Sequence, residues 1–286
     1  MDERQLKERI TENIAGSPDG GVDPAAALRA DLAGMRFFDA PVFGVAAADD
    51  PMFAQLKNPE AVGAHHLLPQ DFLPGARFVL SVFLPYTSRI KDANARAGRM
   101  PAGEWLHGRI EGQKFISLLA ADAARALRDA GFSAVAPSID GRFRAVDAAK
   151  PAGPLKNGET ADPMAGKSYT SNWSERHVAF VCGLGTFGLS KGLITKKGIA
   201  GRFFSLVTDL DMEITPRAYT GLYEYCIRCG LCVPPCPAGA ISLENGKSHA
   251  PCSAFLNETG VLYAPRYGCG KCQVGVPCES RSPVRP

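Results

Sequence analysis

Four cysteines stand in one run, Cys226-Ile-Arg-Cys229-Gly-Leu-Cys232-Val-Pro-Pro-Cys236-Pro237. The pattern is C-x2-C-x2-C-x3-C-P, the spacing that holds [4Fe–4S] clusters in bacterial ferredoxins. Three thiolates so closely spaced wrap one cubane, and the fourth, past the longer gap, serves a second one. A further set follows: Cys252, then Cys269-Gly-Lys-Cys272, then Cys278. Together they supply the ligands that two cubanes need. The swap assigns Cys226, Cys229, Cys232 and Cys278 to one cluster, and Cys236, Cys252, Cys269 and Cys272 to the other. Cys278 departs from regular spacing, because Pro277 precedes it where a proline would ordinarily follow.

Other uses of these thiols fit less well. Disulfide frameworks belong to short secreted chains with an even cysteine count, and this chain has 286 residues and nine cysteines. It opens Met1-Asp2-Glu3-Arg4-Gln5-Leu6-Lys7, without the apolar core of a signal peptide. Paired C-x2-C units also suit zinc, but the x2-x2-x3-Pro run is not a zinc spacing. Cys182 stands alone after an apolar stretch and reads as a buried structural thiol.

A second pattern is ambiguous. Gly183-Leu184-Gly185-Thr186-Phe187-Gly188 matches G-x-G-x-x-G, with Asp209 further on. A dinucleotide fingerprint needs a helix opening within the glycines. Here Gly192, Gly198 and Gly201 follow, which predicts loops and a hairpin. The surviving inference is that backbone comes close to something flat or bulky at this turn.

The elements that must position these residues are legible in outline. Residues 4–14 read as a short polar helix. Asp23-Pro24 offers an N-cap and a Pro at N1, which predicts a helix through Leu32. Residues 41–46 and 77–84 read as buried strands, the second the strongest in the chain. A long helix spans 103–130, with Phe115, Ile116, Leu119, Ala123, Ala126 and Leu127 on one stripe. Leu106 and Ile110 fall off that stripe, so its first turns are expected to pack differently or to form a separate segment. Gly131 closes the helix. Residues 133–137 read as a short strand, 143–168 as a long loop, 177–182 as a strand or buried helix end, and 201–209 as a strand.

The composition is that of an ordinary globular protein, 45% hydrophobic and 21% charged. A net charge of +3 without a Lys/Arg block gives no case for nucleic acid. No apolar run reaches membrane-spanning length, so no membrane partner is expected. Free thiolates and low-potential clusters suit a reducing cytoplasm.

The order of features resembles the epoxyqueuosine reductase and reductive dehalogenase superfamily. The matching residues are Ser174-Glu175-Arg176, the Gly183-Leu-Gly185-x-x-Gly188 turn, the strand ending Thr208-Asp209 and the ferredoxin run. Cys252-Ser-Ala-Phe-Leu and Tyr267-Gly-Cys-Gly-Lys-Cys272-Gln273 complete the match, and the N-terminal half matches chiefly through Trp105-Leu-His-Gly-Arg109. The resemblance implies an α+β protein: a nitroreductase-like α/β domain over residues 1–215 that binds cobalamin, then a ferredoxin-like domain over 216–286 with two [4Fe–4S] clusters. It implies cobalamin contacts from Gly183, Leu184, Gly185, Thr186, Gly188 and Arg176. Epoxyqueuosine reductases carry an Asp six residues before the Glu that matches Glu175. Tyr169 stands there in this chain, and reductive dehalogenases use a Tyr as the acid.

A phenol can donate a proton if a nearby cation stabilises the phenolate, and Lys167, Arg176 and Arg144 are the local cations. A loop tyrosine also serves simply for packing. The expectation is a cytoplasmic cobalamin-dependent reductase acting on a small molecule, fed by reduced ferredoxin or flavodoxin. The alternative is a ferredoxin-type electron carrier or accessory protein that binds no cobalamin. Because the chain runs only to Pro286, the helical-repeat tail that serves tRNA is expected to be absent, which argues against tRNA. His65, His66, His107 and His177 carry no metal-pair spacing and read as ordinary packing residues. Trp105 and Trp173 suit either a flat cofactor or the core. The tail beyond residue 215 is near the size where a core alone supplies little stability, so it is expected to be disordered without iron.

Overall fold

The structure is a computed structural model that describes residues 1–146, 164 and 169–284. In chain order the elements are α1 (Glu3–Gly16), β1 (Val42–Ala47), the short helices α2 (Pro51–Gln55) and α3 (Pro69–Phe72), β2 (Phe78–Pro85), α4 (Ser88–Arg96), and α5 (Gly103–Asp129). Next come β3 (Ala134–Val135), β4 (Ala145–Val146), β5 (Thr170–Ser171), α6 (Glu175–Val181), β6 (Gly185–Phe187), β7 (Leu193–Thr195) and β8 (Gly201–Thr208). The cysteine-rich part contributes β9 (Ile241–Ser242), β10 (Gly246–Lys247) and α7 (His249–Leu262). Mixed helix and antiparallel sheet make this an α+β arrangement.

The central sheet has the order β1-β2-β8-β3. All its pairings are antiparallel, with Val42 opposite Phe83, Phe78 opposite Thr208 and Ala134 also opposite Thr208. β2 is buried on both faces, which is why its sequence is a continuous apolar run and does not alternate. Leu80, Val82 and Leu84 meet Phe115, Leu119 and Leu127 of α5, with Leu6, Ile10 and Ile14 of α1 in the same cluster. Val79 and Val207 meet Val178, Val181 and Trp173 on the opposite face. Each fully buried Leu, Val or Phe removes enough apolar surface to contribute about 1.5–3 kcal/mol.

Several helix ends follow directly from sequence. The Asp2 side chain accepts the Gln5 N–H at 2.8 Å, and the Gln5 Oε1 accepts the Asp2 N–H at 2.9 Å, a reciprocal capping box. Gly131 adopts φ +88, the left-handed conformation that ends a helix without a Cβ clash.

Two local expectations are corrected. Asp23 does cap a turn, but only the single 3-10 turn Pro24–Ala26, followed by another at Ala30–Leu32. The Leu28 N–H donates to the buried His107 Nε2 at 3.1 Å, a tertiary partner in place of a helical carbonyl. The second correction is that α5 is one continuous helix from its first turn, and Leu106 is buried although it lies off the main stripe. Most of the expected 143–168 loop lies outside the described residues; within it, Ala145 and Val146 pair with Ser171 and Thr170.

The cysteine-rich part is stitched to the sheet and helices. Asn94 Nδ2 donates to the Cys269 carbonyl at 2.9 Å, and the Ile199 N–H donates to the Cys278 carbonyl at 2.8 Å. Arg266 pairs with Glu111 of α5 at 2.7 Å. Among the described residues no helix is long and apolar enough to cross a membrane.

Candidate active site

The thiols divide into two sets by their electrostatic influence on one another. Burial pushes the Cys278 thiol up to about 12, and Cys226, Cys232 and Cys229 push it further in the same direction. Burial likewise pushes Cys269 up to about 12, and there the neighbouring thiols are Cys272, Cys252 and Cys236. These are the two quartets that the swap assigns. Cys232 also feels Cys272, which brings the sets next to each other. Among the described residues no group of three or more His, Cys, Asp or Glu is arranged to hold a single metal ion.

Backbone donors serve both sets. The Leu189 N–H points to Cys226 Sγ at 3.4 Å, and the Ala240 N–H to Cys236 Sγ at 3.3 Å. Hydrogen bonds to cluster sulfurs are one of the means by which a protein tunes cluster potential. Cys229 is exposed, while the other seven are half-buried.

A cavity of about 510 Å3 adjoins the second set, and all four of its thiols, Cys236, Cys252, Cys269 and Cys272, line it. Tyr169 and Arg176 line it too. The Arg176 Nη2 donates to the Tyr169 hydroxyl at 3.4 Å. Arg176 is the main cause that holds the Tyr169 phenol below its ordinary value; burial opposes it, and Arg109, Arg202 and Lys247 assist. Lys167 lies outside the described residues, and Arg144, just before β4, is not in the described wall of the cavity.

The glycine turn is placed elsewhere. Gly183, Leu184, Gly185, Thr186 and Gly188 are absent from the described wall of the cavity. Gly185 and Thr186 pair with Thr195 and Ile194 across the β6–β7 hairpin. A Cβ on Gly185 would sit 1.9 Å from the Ile194 carbonyl oxygen, and one on Gly183 would be 3.1 Å from Thr215. The close approach is therefore to the chain itself. Thr186 Oγ1 accepts the Tyr225 N–H at 2.8 Å, and Leu184, Phe187 and Ile194 form a cluster against which Cys226 and Cys278 pack. The residues expected to contact cobalamin are thus divided: Arg176 lines the cavity, whereas the glycine turn packs towards the first cysteine set.

Four cavity residues went unnoticed in the sequence: Arg202 of β8, Lys247 of β10, His249 at the start of α7, and Arg109 as a charge rather than as part of a motif. His249 stacks on Tyr169 with ring centroids 5.1 Å apart and an interplanar angle of 20°. Burial, then Lys191, Lys247 and Arg176, hold His249 down to about 4, so its imidazole is neutral at physiological pH. No spacing rule links these residues, since they come from four separate elements.

The remaining aromatic and histidine expectations resolve simply. Trp105 lines the cavity, whereas Trp173 is core and donates to Ser205 Oγ at 2.9 Å. His66 stacks on Trp173, His65 bonds Thr170 Oγ1, and His177 bonds Ser174 Oγ. Cys182 is fully buried, its thiol raised by burial and by Glu175, and its Sγ donates to the Val79 carbonyl.

The 4Fe-4S binding domain family matches residues 222–242. No curated protein matches the chain. A solved catabolic reductive dehalogenase, in complex with 3-bromo-4-hydroxybenzoic acid, is 17% identical, with a TM-score of 0.52 over 98% of this chain and 36% of that one. An epoxyqueuosine reductase from Bacillus subtilis is 19% identical, with a TM-score of 0.45 over 99% of this chain and 68% of that one. Another, with an epoxyqueuosine-modified tRNA stem loop, is 21% identical, with a TM-score of 0.46 over 96% and 66%. The chain thus spans about a third of the dehalogenase's length and about two thirds of the reductases'. The cysteine motif defines an iron–sulfur protein. The dehalogenase likeness establishes a shared fold, and the resemblance read from the sequence is borne out at that level.

Proposed function

We propose that this protein is an iron–sulfur reductase that carries electrons through two [4Fe–4S] clusters into the cavity, where a small molecule is reduced. One observation carries the reading: the cavity is lined at once by the four thiols of one quartet and by Tyr169. Electrons enter at the set that contains the exposed Cys229, from a reduced ferredoxin or flavodoxin, and leave at the set that borders the cavity. Tyr169 is the proton donor, and Arg176 stabilises the phenolate left behind. The open cavity supports an enzyme over a mere electron carrier. The chain divides near residue 215 into a nitroreductase-like part and a ferredoxin-like part. A reducing cytoplasm suits both clusters.

Cobalamin is the cofactor that this reading includes. The cavity wall carries the flat rings of Trp105, Tyr86, Tyr267 and Phe255, which suit a macrocycle. Its volume of about 510 Å3 falls in the rough 300–1,000 Å3 range of small-ligand and cofactor sites, enough for the ring portion of the cofactor. These aromatic residues and Leu256 would hold the ring beside the Cys236 quartet. When bound, cobalamin would supply a cobalt centre reducible in one-electron steps. The chain's own residues hold Tyr169 between Arg176 and His249, and the proton comes from the Tyr169 hydroxyl.

Anaerobic reconstitution tests the proposal. The expected result is about eight irons per chain and saturable binding of cobalamin, followed by corrin absorbance. Full iron loading without cobalamin binding at micromolar levels would return the protein to the class of electron carriers.

A further inference from the structure

The cavity has an imbalance of charge. Its described wall carries Arg109, Arg176, Arg202 and Lys247, and no Asp or Glu. Lys271 also reaches it, but its ammonium donates to the Asn94 and Ala97 carbonyls, 2.7 Å from each. Lys247 faces the Cys252 and Cys272 thiols and so offsets the charge of that quartet. Arg176 donates to Tyr169 and to the Lys191 carbonyl. Arg109 and Arg202 have only neutral partners among the described residues, and Arg202 is also hydrogen-bonded with Tyr86. Arg202 Nε donates to the neutral amide oxygen of Gln113 at 2.7 Å. The Arg109 guanidinium lies over the Tyr267 ring, 4.4 Å from its centroid, and its Nε is buried without a hydrogen-bond partner among the described residues.

Two half-buried guanidiniums on one cavity wall repel each other without an anion between them. Burial pulls the Arg202 guanidinium below its ordinary value and Arg109 pulls it in the same direction, while Tyr86 and Tyr169 oppose them. Planar guanidiniums match the two oxygens of a carboxylate or the face of a phosphate. Trp105, Tyr86 and Tyr267 supply flat apolar surface in the same wall.

We propose that Arg109 and Arg202 form an oxyanion site, and that the substrate is a small organic anion whose carboxylate or phosphate they hold. This rests on the cavity being the place of reduction.

Calorimetric titration of the anaerobic, cluster-loaded protein tests it, with benzoate and inorganic phosphate as anions and benzamide as the neutral match to benzoate. At least one anion should bind saturably, with benzamide at least tenfold weaker than benzoate. Arg109→Gln and Arg202→Gln should each weaken anion binding at least tenfold, Arg202→Lys should recover part of it, and the surface change Arg125→Gln should leave it unaltered. Melting temperature and iron content check that the variants fold. The proposal is overturned if neither anion binds, if benzamide binds as well as benzoate, or if the arginine variants bind as the parent does. Cobalamin is titrated separately by absorbance. If preloaded cobalamin abolishes anion binding and Arg202→Gln abolishes cobalamin binding, the pair serves a phosphate on the cofactor, which overturns the substrate assignment. If cobalamin fails to bind while the anions bind as expected, the oxyanion site stands and only the cofactor reading falls.

Discussion

The Arg176 guanidinium and the Tyr169 hydroxyl meet at 3.4 Å on the wall of the cavity that the second cysteine quartet also lines. The pair joins a proton donor to the cation that makes donation feasible. Its pH consequence has a definite sign. The phenol donates only while protonated, so turnover falls as pH rises through the Tyr169 pKa. That pKa is held below 10.0 first by Arg176. In Arg176→Gln the alkaline limb of the pH–rate profile therefore moves to higher pH. A limb that stays in place would remove Arg176 from this role.

Tyr169→Phe keeps the ring that stacks on His249 and deletes the hydroxyl that carries the proton. Turnover on any reducible substrate should fall by roughly 10²–10⁴-fold, with cluster content unchanged by iron analysis. Undiminished turnover would leave Tyr169 a packing residue.

Cys278 separates the two clusters experimentally. Cys278→Ser should lower iron from about eight to about four per chain and spare the quartet at the cavity. Cys272→Ser should remove the other cluster. Electron paramagnetic resonance of the reduced proteins distinguishes them, and a Cys278→Ser protein with full iron would exclude this thiol as a ligand.

Glu175 is a pH-dependent liability of the fold. Its carboxylate oxygens are buried beside Ser205 and Ser138 without a well-formed hydrogen bond, and burial pushes the group up to about 7. The folded state thus holds this proton more tightly than the unfolded state does, from the ordinary value of 4.5. Stability from this group is present below about pH 4.5 and declines as pH rises to about 7. At about 1.36 kcal/mol per pKa unit the loss is on the order of 3 kcal/mol. Urea denaturation at pH 5 and pH 8 should show Glu175→Gln losing much of the parent's decline; an identical slope would contradict the assignment.

Gly270 is held by Trp105. It has φ +67, and a Cβ there would lie 1.9 Å from the Trp105 ring. Gly270→Ala should cost more than about 3 kcal/mol or displace Trp105 from the cavity wall, and Gly16→Ala, with open space around it, should do neither. Thermal melts of the three proteins decide it.

The sequence by itself determined what depends on short spacing and period. The C-x2-C-x2-C-x3-C-P run marks the iron–sulfur motif, the stripe from Phe115 to Leu127 predicts α5, and the apolar run at 77–84 predicts β2. Each is a local rule, because thiolate reach and helix periodicity act over a few residues. The glycine turn shows where locality fails. The same six residues suit a cofactor loop or a hairpin, and only Thr195, Thr215 and Tyr225, brought in from later in the chain, make them a seat for the cysteines. Asp23 fails in the same way, because His107 takes the Leu28 N–H that a longer helix would have used. The cavity is the extreme case. Arg109, Arg202, Lys247 and His249 come from a helix, two strands and a second helix start, and their charges acquire meaning only when folding encloses them together. Burial creates the cost of an unpaired charge, and burial is a property of tertiary structure.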